Sequence, residues 1–364
     1  MSDEIVIFGL SLSSSWGNGH ATTFRALLRG LHAEGRRVLF LERRQPWYAE
    51  NQDLADPDFC ELRFYDDIPE ALACHRDRLE AAEAVIVGSY VPEGQRLIDA
   101  LDRLKLRQLC FYDIDTPVTM DLLDRGEDIH LARRQMPRFD AYFSFSGGTV
   151  LDRLRETYGT PNPQPLYCAV DEDAYRPMAV PTRWDLGYLG TYSPDRQPGL
   201  EALLIEPARR LPQMRFVVAG SMFPDGIDWP GNVERIEHLP PARHAAFYNA
   251  QRFTLNLTRA AMRRLGWSPS VRLFEAAACG TPIISDRWQG LDKLLPEGRA
   301  VLLADGPGDV VAALTRTTDP QRQALAEAAR QIVLADHTGR ARARELTAHL
   351  ARSARSAPAA THAG

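Results

Sequence analysis

A chain of 364 residues with 45% hydrophobic and 25% charged side chains is long enough for two ordinary domains, each with its own core. A net charge of −5 gives no electrostatic basis for nucleic acid or an anionic membrane surface, and no apolar run reaches transmembrane length. Five scattered cysteines (Cys60, Cys74, Cys110, Cys168, Cys279) without metal-ligand spacing read as free thiols of a reducing compartment, so a cytoplasmic protein is expected.

The N-terminus MSDEIVIFGL has acidic flanks around a short apolar run, which marks a first strand and not a signal peptide. Short apolar runs then alternate with helical patterns, the signature of α/β units built on parallel sheets. Strands are expected at 4–9, 37–41, 61–65, 84–88, 108–113, 141–146 and 165–170. A Pro-punctuated segment at 176–181 reads as a linker. A second series follows at 185–190, 214–220, 233–238, 253–257, 282–285 and 300–303. The expected organisation is two Rossmann-like, doubly wound α/β domains facing a cleft, over 1–175 and 182–335. A last helix over 336–352 packs back on the first domain, and an Ala-, Ser- and Pro-rich tail over 353–364 is expected to be disordered.

In the first half, the loop from Ser11 to His20 contains Trp16, Gly17, Asn18 and Gly19. The two glycines allow a tight turn and close backbone approach to a ligand, and His20 sits at the start of the next helix. As a dinucleotide fingerprint this loop is incomplete, because Thr22 stands where the third glycine belongs. Glu42, closing the second strand, does imitate the acid that binds an NAD ribose. Asp113 and Asp115 leave an apolar strand at its carboxyl end, at i and i+2, and so are expected to share a side. Either carboxylate, or a neutral His20, suits a base that takes a hydroxyl proton. Asp115 also suits a helix cap, and position alone does not choose among the three. Trp47 and Tyr48, within 43–58, can stack on a ring or pack internally.

In the second half, the strand 185–190 ends on Gly190 and runs into Thr191, Ser193 and Arg196, donors for phosphate oxygens or members of a solvated turn. His238 and Leu239 precede two prolines in a loop that can present backbone groups to a base edge. The segment 268–286, SPSVRLFEAAACGTPIISD, reads as a short helix capped by Ser268, begun by Pro269 and ended by Gly280, returning at once into a buried strand. Ser270, Val271 and Arg272 lie in its first turn, where free N–H groups suit a phosphate. Glu275 lies three residues further, on the same face, placed for a ribose or for a plain i,i+3 pair with Arg272.

The order of these pieces resembles the C-terminal domain of GT-B glycosyltransferases, and 268–286 resembles the subgroup typified by bacterial spore-maturation glycosyltransferases. The resemblance implies a ribose role for Glu275, a diphosphate role for Ser270 and Arg272, and phosphate contacts from Gly190 and Arg196 on the other side. It also implies that the loop 16–19, together with Trp47, belongs to the acceptor half. Many retaining members carry a second Glu eight residues before the ribose-binding one; here that place is Trp267, so inversion is expected. No D-x-D motif of the metal-dependent kind stands in a convincing place, since Asp113-Ile114-Asp115 matches those letters in the half opposite the nucleotide site, so no metal and no cofactor are expected. The implied activity is transfer of a sugar from a nucleotide-diphosphate donor to a hydroxyl. Competing readings are a nucleotide-sugar epimerase of the same fold, an NAD-dependent oxidoreductase using Gly17, Gly19 and Glu42, and a non-catalytic sugar-nucleotide sensor.

Overall fold

The computed structural model describes residues 3–16 and 19–356. The chain divides into two compact units, 1–169 with 339–364, and 170–338.

In the first unit, strands β1 (Glu4–Gly9), β2 (Arg37–Arg43), β3 (Glu61–Tyr65), β4 (Ala84–Gly88), β5 (Leu109–Asp113), β6 (Ala141–Ser144) and β7 (Pro163–Pro165) form one sheet. Its order is β3-β2-β1-β4-β5-β6-β7, and every pairing is parallel. β1 and β4 are buried along their whole length, which is why each reads as an unbroken apolar run. Ile5, Phe24, Phe40, Ile86 and Phe143 form the core together with Ala343, Leu346 and Leu350 of the last helix, Gly339–Ser356. That helix meets the helix His20–Ala33 at two glycines. A Cβ at Gly30 would lie 2.0 Å from the Gly339 carbonyl oxygen, so the backbones touch where a side chain cannot fit. Ser353 is helical and buried, and its Oγ accepts from Asn162 Nδ2 at 2.7 Å; the expected tail therefore does not begin there. Residues 357–364 lie outside the described residues.

In the second unit, β8 (Trp184–Leu189), β9 (Phe216–Ala219), β10 (Val233–Ile236), β11 (Gln251–Asn256), β12 (Ile283–Asp286) and β13 (Leu302–Ala304) form a parallel sheet of order β10-β9-β8-β11-β12-β13. Two expectations need correcting here. The strand placed at 165–170 is instead the short β7, and Val170 N donates to the His337 carbonyl in an isolated bridge with Thr338. The segment 176–181 is no free linker. Asn249 accepts from Met178 N at 2.8 Å and donates to the Arg176 carbonyl at 3.0 Å, which ties it into the second unit. Its prolines mark backbone without ladder partners, which is a different property from mobility.

Both sheets reverse strand order at one place, between β1 and β4 and between β8 and β11. Ligands of doubly wound folds bind at such switch points, beyond the carboxyl ends of the strands. Among the described residues no helix is long and apolar enough to cross a membrane.

Candidate functional site

Arg272 spans the switch point of the second unit. Its helix, Val271–Ala278, starts two residues later than the sequence pattern implies. Ser270, not Ser268, is the N-cap, accepting from Arg272 N at 3.3 Å, while Ser268 donates to the Gly266 carbonyl. Pro269 disfavours helical geometry in the residue before it, and Trp267 is held at a φ of 52°, so the chain enters the helix only at Ser270. Arg272 Nε then donates to the Leu189 carbonyl at the end of β8 (2.5 Å). Its Nη1 donates to Asn256 Oδ1 at the end of β11 (3.0 Å). The guanidinium lies over the Tyr188 ring, 5.1 Å from its centroid. Gly190 is required beside it, since a Cβ there would lie 2.8 Å from Arg272 Nη2.

Arg196 adds a second cation. Its Nη2 donates to the Thr191 carbonyl at 2.6 Å, and its Nε is enclosed with no hydrogen-bond partner. Burial, followed by the charges of Arg272 and Arg259, pushes its proton affinity below the ordinary arginine value. A cavity of 270 Å³ opens beside it, lined by Asp195, Thr258, Arg263 and Asp286 among others. Two partly desolvated guanidiniums, one with an unsatisfied N–H, form a site that an anion stabilises. A larger cavity of 600 Å³ beside Glu4 and Arg78 is at the amino ends of β1 to β3, the end that parallel sheets do not use for ligands.

Glu275 is buried and accepts from the Tyr248 hydroxyl at 3.0 Å, with the Tyr175 hydroxyl as a second partner. Tyr175 in turn meets His244 Nδ1 at 3.3 Å, and His244 Nε2 donates to the Leu239 carbonyl at 3.1 Å. The loop of His238 and Leu239 is thereby joined to Glu275 through two side chains. The sequence reading missed Tyr175, His244, Tyr248 and Asn256. Only Asn256 left a trace there, as the amide closing the apolar strand QRFTLN.

In the first unit the three candidate bases separate. Asp113 is wholly buried and accepts from the Tyr142 hydroxyl (2.6 Å), Thr119 Oγ1 (2.9 Å) and Asp115 N (3.2 Å). Burial raises its carboxyl to about 6. It faces no solvent, so the expectation that Asp113 and Asp115 share an open side is corrected: the chain turns at Ile114, and the i,i+2 rule of a strand ends with β5. Asp115 makes no side-chain cap to the helix Thr116–Asp124. Instead its Oδ2 meets His20 Nε2 at 3.0 Å, with the Asp115 side chain 44% exposed and that of His20 only 7%. Tyr90, in the left-handed region at φ 62°, sets its ring edge-on to His20 (5.7 Å) and tilted over His130 (4.4 Å). A non-glycine residue strained in this way at a strand end is common at functional sites. No sequence signal announces it.

Glu42 is 1% exposed and accepts from Leu12 N, Ser13 N, Ser11 Oγ and Ser13 Oγ. Its lone pairs bind its own loop, which leaves none for an NAD ribose. Trp16 and Trp47 are 56% and 48% exposed. Gly19 is the N-cap residue of His20–Ala33, whereas Gly17 and Asn18 lie outside the described residues. His337 is the C-cap of the helix Asp319–Asp336 and stacks on Phe274 at 4.2 Å. Among the described residues no cluster of three His, Cys, Asp or Glu side chains is arranged to hold a metal ion.

Residues 196–348 match the family described as glycosyl transferase-like. Among solved structures, the chain is similar to a sucrose-phosphate synthase from Thermosynechococcus elongatus, at 15% identity, covering 96% of this chain and 98% of that one, with a TM-score of 0.73. A glycosyltransferase from Rickettsia africae ESF-5 matches at 10% identity, 98% and 99% coverage and a TM-score of 0.70. The Anabaena protein HepE, crystallised with UDP-glucose, matches at 12% identity, 96% and 99% coverage and a TM-score of 0.63. No curated protein sequence matches the chain. The two parallel sheets are those of the GT-B fold, and the family match lies on the second unit and the first part of the last helix.

Proposed function

We propose that the protein transfers a glycosyl group from a nucleoside-diphosphate sugar to an acceptor hydroxyl, with inversion and without a metal. The observation behind this is the placement of Arg272 across the β8/β11 switch point, with Arg196 and its unpartnered Nε beside it. Leaving-group charge is neutralised there by two fixed guanidiniums, by Ser270 and Val271 at the helix start, and by Thr191 at the Gly190 turn. Glu275, oriented by Tyr248 and Tyr175, holds the ribose hydroxyls, and the His238–Leu239 backbone meets the base. The finer likeness to spore-maturation enzymes rests on this same segment.

Asp115, the exposed member of its pair with His20, takes the acceptor proton as the acceptor oxygen bonds to the anomeric carbon and the bond to the diphosphate oxygen breaks. His20 Nε2 donates to Asp115 and fixes it, and the acceptor side is assigned to Trp16, Gly19 and Trp47. Trp267 in place of a carboxylate leaves no nucleophile at that position for a double displacement.

The test is calorimetry of UDP, TDP, GDP, ADP and NADH against the wild type and Glu275→Gln. One nucleoside diphosphate should bind and be weakened about tenfold by the substitution, the loss of one charge-assisted hydrogen bond. Binding of NADH alone, indifferent to Glu275, would end the transferase reading. The anomeric configuration of the product, read by NMR coupling, decides inversion.

A further inference from the structure

Among the described residues, the first unit exposes three large hydrophobic side chains, and each belongs to a segment linked to the His20–Asp115 pair by short sequence separation or by a chain of contacts. Trp16 (56% exposed) precedes His20 by four residues. Ile129 (57%) adjoins His130, whose ring lies against Tyr90, which itself contacts His20. Trp47 (48%) is on a segment bonded to the Trp16 loop: Ser14 Oγ donates to the Asn51 carbonyl, and Asn51 Nδ2 donates to the Trp47 carbonyl.

The charged groups of the same strand ends are spent on one another. Glu42 binds the 11–13 backbone, Asp53 holds Arg25 and Ser15, Glu93 pairs with Arg43 and Arg96, and Asp113 holds Tyr142 and Thr119. A free sugar, with a hydroxyl on nearly every carbon, is recognised through several carboxylate or amide side chains left open to it. The segments linked to His20 expose aromatic and aliphatic side chains instead.

We infer that the acceptor hydroxyl is borne on an apolar, ring-containing scaffold such as a phenol, and that Trp16 and Ile129 set this specificity. The inference rests on the transferase reading and on Asp115 as its base. Phenol rings stack on indole faces, and burial of such a ring against Trp16 and Ile129 replaces the hydrogen bonds a sugar would need.

The experiment uses the full chain and two probes, 4-methylumbelliferone and methyl glucoside, with binding followed by saturation-transfer NMR. 4-Methylumbelliferone should bind about tenfold or more tightly than methyl glucoside, and the double variant Trp16→Ser/Ile129→Ser should weaken it by about the same factor while nucleotide affinity holds. Equal or tighter binding of methyl glucoside overturns the inference, as does 4-methylumbelliferone binding that the double variant leaves unchanged. Flotation of the protein with phosphatidylcholine vesicles, abolished in the double variant, would also overturn it by showing a lipid-docking face. Loss of the transferase reading is distinguished by the nucleotide arm. Nucleotide binding with no preference for the phenol removes the acceptor inference alone, whereas absent nucleotide binding removes both.

Discussion

The two units share one plan and put opposite chemistry on it. Each sheet has a switch point at its centre, and each places a loop, a helix start and a strand-end polar residue there. At the β8/β11 point the strand-end groups are acceptors, the Leu189 carbonyl and the Asn256 amide, and they anchor a cation. At the ends of β2 and β5 in the first sheet the strand-end groups are carboxylates, Glu42 and Asp113, and they are buried under hydroxyls and backbone N–H groups. The fold therefore fixes where a ligand meets each sheet. On the proposed function, the sign of the charge left uncompensated decides which ligand: an anion in one unit, a neutral hydroxyl beside a single carboxylate in the other.

The most severe break in that comparison is expected at Asp115. Asp115→Asn should lower transfer by about 10²–10⁴-fold, the usual worth of a positioned base, with nucleotide affinity unchanged. His20→Gln should cost less if, as proposed, the side chain acts on the acceptor only through Asp115. The reverse ranking in kcat would show that His20 is the base and that Asp115 orients it.

Next in size is Arg272→Ala, which should weaken the nucleoside diphosphate by about a hundredfold, or 2–3 kcal/mol, from lost charge-assisted hydrogen bonds. Arg272→Lys should recover little of this, since an ammonium group cannot reach Leu189 and Asn256 together in the fork that a guanidinium provides. Full recovery by lysine in calorimetry would reduce the site to a point charge.

Much of this contrast was legible in the sequence, unevenly. Alternation of apolar runs and helices placed both sheets, with strand ends shifted by a few residues wherever a proline or glycine intervened, as at β7. The helix of Arg272 was legible because arginine, a capping serine and a closing glycine follow one another locally within 268–286, although the cap lies at Ser270 and not Ser268. The strand ends of the first unit were not. Asp113 and Asp115 look equivalent in a one-dimensional pattern, and only the turn at Ile114 sends one into the core and the other toward His20, 95 residues away. Glu42 likewise imitates a ribose ligand until its four donors from 11–13 are seen. The left-handed Tyr90 has no local signature at all.

Asp113→Asn tests the claim that the first unit's buried carboxylate is structural. Its carboxyl titrates at about 6 in the folded state, above the ordinary 3.8 of an unfolded aspartate. The folded protein thus holds more protons than the unfolded chain between these values, and the stability from Asp113 is full below about pH 4 and lost as pH rises through 6. Urea unfolding of wild type relative to Asp113→Asn should show a relative loss on the order of 2 kcal/mol for wild type between pH 4 and 7. An amide does not titrate, and it can still accept from Asp115 N and Thr119 while donating to Tyr142. A pH-independent difference would mean that the carboxylate is compensated by its three donors.

The smallest effect is expected at the helix start. Ser270→Ala removes the oxygen that accepts from Arg272 N, and caps of this kind contribute about 1 kcal/mol to stability. The same oxygen lies 3.4 Å from Arg272 Nη1, so the substitution also loosens the guanidinium. Nucleotide affinity should fall a few-fold, well short of the Arg272→Ala loss. If Ser268→Ala produced the larger change in unfolding free energy and Ser270→Ala none, the helix would begin where the bare sequence pattern places it, and the geometry of Arg272 at the switch point would have to be redrawn.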